Sequence, residues 1–155
     1  MSRKKVPNPS QHIVSLPAGA PGAGGKNSRL DIPQAVILAT DILRWLIPKV
    51  GAFPKSVRFG LGVRLESAHL DVLEELIRAQ YTRGADCARA LDRANIQLQI
   101  ARHFARLARD LGLFSEESAV YLAGLQVDLG NQVGAWRKAS VAMANSSANS
   151  ATQPT

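Results

Sequence analysis

The stretch from Pro54 to Tyr81, PKSVRFGLGVRLESAHLDVLEELIRAQY, constrains the fold more than any other. It is the longest unbroken helical pattern in the chain. Leu61, Leu65, Val72, Leu73, Leu76 and Ile77 recur with a 3.6-residue period, and Ala68 and Ala79 fill the gaps. That pattern is a helix with a wide apolar face. Arg64, Asp71, Glu75 and Arg78 share a solvated face, where Glu75 and Arg78 are spaced to pair for roughly 0.2–0.5 kcal/mol. Pro54 suits a first helical position, where no N–H is needed. A helix this long cannot bury its apolar face alone, so the remaining chain must cover it.

Three further segments carry helical period. The first is expected from Ile32 to Val50, with Asp31 as N-cap, Pro33 in the first turn, and Ala35, Leu38, Ile42, Trp45, Leu46 and Val50 on its apolar face. Pro48 should kink this helix or end it near Ile47. Gly51 and Pro54 mark the turn, with Phe53 packing back on the core. The long helix should end near Arg83–Gly84, with Gly84 as its C-terminal glycine. A third helix is expected from Ala85 to Leu111. Its Cys87, Leu91, Ala94, Leu98, Ala101, Ala105 and Ala108 follow a 4,3 spacing, a heptad seam of mostly small residues. Ile100, Phe104, Leu107 and Leu111 form a second apolar row. After the turn Leu111-Gly112-Leu113-Phe114, Ser115 is an N-cap and Glu116 and Glu117 sit at the positive end of a fourth helix running to Lys138. In that helix Leu122, Leu125, Leu129, Val133 and Trp136 make one row. Gly130 and Gly134 fall in a second row of small residues. Each glycine costs roughly 1 kcal/mol against alanine in a helix, which implies close approach by another element.

Four helices joined by short loops, with no strand signal, give an all-α, up-down-up-down four-helix bundle. At 155 residues one domain is expected, spanning 31–139. Residues 1–30 hold Pro7, Pro9, Pro17, Pro21 and the run PAGAPGAGGKNS, and 140–155 read SVAMANSSANSATQPT. Neither end carries a hydrophobic period, so both are expected to be disordered tails.

The formal charge is +7, which favours an anionic partner, nucleic acid being the commonest. Arg102, Arg106 and Arg109 occupy successive turns without an acid in their row. Together with Lys49, Lys55, Arg58, Arg64, Arg78 and Arg83 they are the candidate phosphate-contacting residues. The alternative is a basic bundle whose arginines only solvate its surface. Trp45, Trp136, Tyr81 and Tyr121 fall mostly at apolar positions, so backbone phosphate or folded RNA fits better than base stacking.

Little points to catalysis. His69 shares a face with Leu65, Val72 and Leu76 and reads as a buried, bonded histidine. Glu66 and His69 make one Glu-x-x-His pair, but a di-iron bundle needs a second copy. The single cysteine, Cys87, has no neighbour at zinc-ligand spacing. No intramolecular disulfide is possible, which fits a reducing cytoplasm. No catalytic residue, metal or cofactor is expected. The best apolar run, AVILATDILRWLI, is broken by Asp41 and Arg44 and is too short to span a bilayer.

The segment W-L-x-P-K-x-x-x-F-P-K-x-x-R-F-x-L-G-x-R-L, Trp45 to Leu65 here, resembles a known family. Leu-Gly-Leu at 111–113 and Gly-x-Trp at 134–136 support the likeness, which covers roughly residues 33–140. It is the four-helix-bundle family of the accessory variability determinants of diversity-generating retroelements. That family also holds proteins encoded in intervening sequences of large-subunit ribosomal RNA genes. The resemblance implies a ring-like homopentamer without catalytic chemistry. It implies binding to a reverse transcriptase and to template-repeat and spacer RNA, in support of mutagenic cDNA synthesis and retrohoming. Lys49, Lys55, Arg58 and Arg64 lie in the matching segment. Arg78, Arg83, Arg102, Arg106 and Arg109 follow it. The alternatives are an intervening-sequence-type bundle of unknown role and a helical protein-binding adaptor.

Overall fold

A computed structural model describes residues 32–151. The basic N-terminal tail and Asp31, the expected N-cap, lie outside the described residues. Those described form four helices and no strand. Helix α1 is Gln34–Gly51. Helix α2 comprises three consecutive pieces, Lys55–Val57, Arg58–Gly62 and Val63–Gln80, the middle one π-helical. Helix α3 is Gly84–Asp110 and helix α4 is Glu116–Ser150. Each packs on its neighbour in sequence, and α4 closes the ring against α1. With connections only at 52–54, 81–83 and 111–115, each helix must run back along the one before it, which makes a four-helix bundle.

The core forms where the apolar faces meet. Ile42, Leu46, Leu65, Val72, Leu76, Leu91, Leu98, Leu122 and Leu129 are fully buried. The small seam of α3 lies inside as its spacing requires, with Ala94, Ala101 and Ala108 fully buried and Ala105 half-buried. Its second row does not. Ile100, Leu107 and Leu111 are exposed, because the seam already supplies both contacts of α3, and only Phe104 of that row packs partly against the core. Phe53 packs back as expected, edge-on to Phe114 at 5.2 Å between ring centroids.

Several boundaries differ from the sequence expectation for local reasons. Pro33 precedes α1 rather than entering its first turn. Pro48 lies inside α1, yet the helix continues to Gly51. Only one i→i−4 bond is lost there, and the final turn is held by Val50, which is buried against the core. Gly84 does not end α2. It opens α3 with φ of 55°, a left-handed conformation that glycine takes without strain. Helix α3 ends in a Schellman-type turn: Gly112, φ 69°, follows the last turn, and Leu113 N–H donates to the Ala108 carbonyl at 2.9 Å. Ser115 caps α4 by accepting from the Ser118 N–H at 3.1 Å.

Helix α4 runs past Lys138 to Ser150. Its added turns are rich in alanine, the best helix former. Ser140 is buried, with its Oγ 3.0 Å from the Trp136 carbonyl and 3.2 Å from Cys87 Sγ. Ser146, Ser147 and Ser150 likewise donate to carbonyls one turn back. The hydroxyls of the segment expected to be a disordered tail are thus satisfied by the helix itself.

The π-turn is the main departure from a regular second helix. It brings Gly62 against the end of α1, where an added Cβ would stand 2.8 Å from Val50 Cγ1. Arg58 locks the same corner by donating from Nε and Nη2 to the Phe53 carbonyl, at 3.1 and 2.9 Å. Gly60, two residues earlier, has nothing within 4 Å of such a Cβ. Gly62→Ala should therefore destabilise the fold by about 1–3 kcal/mol. Gly60→Ala should be neutral or stabilise by up to about 1 kcal/mol. Urea unfolding of the two variants beside the parent checks the contrast.

Candidate anion-binding surface

The nine candidate basic residues do not form one face. Six arginines among the described residues are ion-paired: Arg44 with Asp41, Arg78 and Arg93 with Glu75, Arg89 with Asp86, Arg109 with Glu116, and Arg137 with Asp92. The expected Glu75–Arg78 pair is present at 3.5 Å, and Arg93 of α3 competes for the same carboxylate at 3.0 Å. Bonding to those acids raises the already high pKa values of Arg93 and Arg137.

The stripe Arg102, Arg106 and Arg109 is divided into three roles. Arg109 clasps Glu116 through Nε and Nη2 at 2.9 and 2.8 Å. Arg102 folds across α4 and donates from Nη2 to the Gln126 carbonyl at 2.6 Å. Arg106 is exposed and makes no ion pair among the described residues. The sequence row carries no acid, but Glu116 reaches it from the next helix.

What remains open gathers at the α1–α2 joint. Between Trp45 and Leu65 there is no aspartate or glutamate. Lys49, Lys55 and Arg64 are exposed there, and Arg58 is half-buried on its Phe53 bond. Lys49 Nζ stands over the Trp45 ring, 5.4 Å from its centroid. Phe59 on the π-turn is 73% exposed, and Ile47 and Val63 of the same segment are also exposed. Arg83 stands apart, exposed at the α2–α3 turn.

A buried polar relay joins α2 to α4. His69 is buried, as its register implies. Its Nδ1 lies 2.9 Å from the Leu65 carbonyl, which can only accept, so Nδ1 carries the proton and donates. The other ring nitrogen, Nε2, then accepts from Gln126 Nε2 at 3.2 Å. With both nitrogens engaged, His69 is a core residue rather than a ligand. Among the described residues no group of three His, Cys, Asp or Glu is placed to hold a metal.

Gln126 is the residue that periodicity overlooked. It sits in phase with Leu122, Leu129 and Val133 and is buried with them, and its polarity alone marks it. Gly130 has a related explanation. An added Cβ there would meet Arg102 Nη2 at 2.5 Å and Leu98 Cδ2 at 3.6 Å, so the expected close approach is made by side chains of α3, the guanidinium first among them. Gly134 has nothing within 4 Å.

No protein-family model matches the chain, and no curated protein matches it significantly. No helix among the described residues is long and apolar enough to cross a membrane.

Burial lowers the pKa of His69, opposed in part by its bond to Leu65. A histidine pKa below its unfolded value of about 6.5 means that the unfolded chain binds more protons. His69 therefore destabilises the fold as pH drops through that value, by at most about 1.4 kcal/mol per pH unit. Denaturant unfolding between pH 7.5 and pH 5 should show this slope, and His69→Gln should flatten it.

Proposed function

We propose that this protein is a non-catalytic helical accessory factor that presents the basic α1–α2 joint to structured RNA. In this reading the chain assembles into a ring-like homopentamer and binds the reverse transcriptase and template RNA of a diversity-generating retroelement. It supports mutagenic cDNA synthesis there without reactive groups of its own. The observation that carries the reading is the acid-free segment from Trp45 to Leu65, whose Lys49, Lys55 and Arg64 are exposed. The same segment carries the family resemblance, and its π-turn is a geometry that recurs at functional sites.

The ion pairs shift the weight from the α3 stripe to this joint. A phosphate approaching the joint meets ammonium and guanidinium groups that no internal carboxylate holds. Phe59 adds a solvent-facing ring on which an unpaired base can stack. Arg78 and Arg109 must first release their own acids.

Charge reversal of Lys49, Lys55 and Arg64 together should weaken binding to a structured RNA by about tenfold or more, with helical content unchanged. The salt dependence should flatten by about 0.7–0.9 in log–log slope for each phosphate that is no longer neutralised. Filter binding across a salt series measures both. Unchanged affinity would remove the joint from the role. Light scattering and co-purification with the retroelement polymerase test the assembly.

A further inference from the structure

A second surface differs in kind. A groove of about 260 Å³ runs between α3 and α4, lined by Arg102, Arg106 and Arg109 on one side and by Val120 and Val127 on the other. Its floor is alanine, Ala105 from α3 with Ala119 and Ala123 from α4. Val120 and Val127 are 63% and 53% exposed. The groove thus combines an apolar bed with a row of guanidiniums spaced one helical turn apart. Glu116 is the one carboxylate in its lining, and Arg109 holds it. Arg106 has no ion-pair partner among the described residues, and Arg102 Nε has no acceptor.

We propose that this groove docks an acidic amphipathic helix of another protein. The alanine floor lets a third helix approach to the short end of helix-packing distances, about 8 Å between axes. Apolar side chains at helical spacing on that partner would cover Val120 and Val127. Carboxylates one turn apart would meet Arg106 and Arg109, and a bidentate guanidinium–carboxylate pair fixes the register. A nucleic acid satisfies only half of this site. Its phosphates would reach the arginines, but no aromatic ring lines the groove to take a base, and both valines would stay uncovered. The chain's own N-terminal tail carries Arg3, Lys4, Lys5, Lys26 and Arg29 against a single Asp31, so its charge opposes the arginine row. No residue of the α1–α2 joint lines the groove, so this docking site stands apart from the RNA reading.

A displayed library of helical peptides about twenty residues long, beyond the length at which helices are marginal, can be panned against the full chain. Selected peptides are then titrated by fluorescence anisotropy. Enriched sequences should place Asp or Glu at i and i+3 or i+4 beside Leu, Ile or Val. Ala123→Trp, which fills the groove, and Arg106→Glu should each cut affinity by about tenfold or more, with circular dichroism unchanged. Val127→Lys at an exposed position serves the same purpose if the tryptophan perturbs folding. No enrichment, enrichment of basic or neutral peptides, or affinity indifferent to these changes overturns the proposal. So does structured RNA that displaces the peptide and loses its own affinity on Ala123→Trp, an outcome that would make RNA the occupant. A change in oligomeric mass on Ala123→Trp would make it a second copy.

Discussion

The close approach of α2 and α4 to the small-residue seam of α3 is the constraint from which the rest follows. Its Ala94, Ala101 and Ala108 are fully buried on the helix with the most extensive packing. Short side chains there bring the flanking helices near, and close helices leave little room for anything large or polar between them. The polar groups that do enter are held by specific bonds. His69 donates to the Leu65 carbonyl and accepts from Gln126, and Arg102 reaches the Gln126 main chain over Gly130. A buried donor without a partner costs about 1–3 kcal/mol, so this relay favours one register of α4 against α2 and α3. Leucines alone would tolerate several.

The same closeness governs the charge. Helices this near bring carboxylates of one within reach of arginines of the next, as in Glu75 with Arg93 and Asp92 with Arg137. Three of the six arginines of α3 and α4, Arg93, Arg109 and Arg137, are drawn into such pairs. The α1–α2 joint escapes because no acid occurs in its sequence and because the turn through Pro54 and the π-helix turns its bases outward. Net charge alone does not separate these two situations; placement of the twelve acids does.

Much of the bundle is legible in the amino-acid sequence. The seam of α3, the Ser115 cap, the Gly112 turn, the burial of Phe53 and the core position of His69 all follow from spacing and residue type. Features that rest on packing between distant segments are not. Burial of Val50 carries α1 through Pro48, and Ser140 meeting Cys87 lies in turns of α4 that composition reads as a tail. The π-turn is invisible to a period count, because one widened turn shifts the phase by only one residue. Among the candidate site residues, exposure of Lys49, Lys55, Arg64 and Arg106 agrees with the sequence reading. Arg102 and Arg109 of the stripe are engaged by the Gln126 carbonyl and Glu116 of another helix, and no row on α3 could reveal those partners.

The two open basic surfaces therefore present different chemistry. At the α1–α2 joint the cations are unopposed, so an anion gains their field directly, and salt screens that gain within about 10 Å at 0.1 M. In the α3–α4 groove the Arg109–Glu116 pair is about half exposed on the arginine side and more so on the acid. A pair so solvated holds together by at most about 1 kcal/mol, so an incoming carboxylate can exchange with Glu116 at small cost. The net attraction there comes from covering Val120 and Val127 and from the unpaired Arg106. Burial of apolar surface is not screened by salt. Ionic strength thus separates the surfaces physically, since association at the joint must decay steeply with salt while association in the groove retains its hydrophobic part.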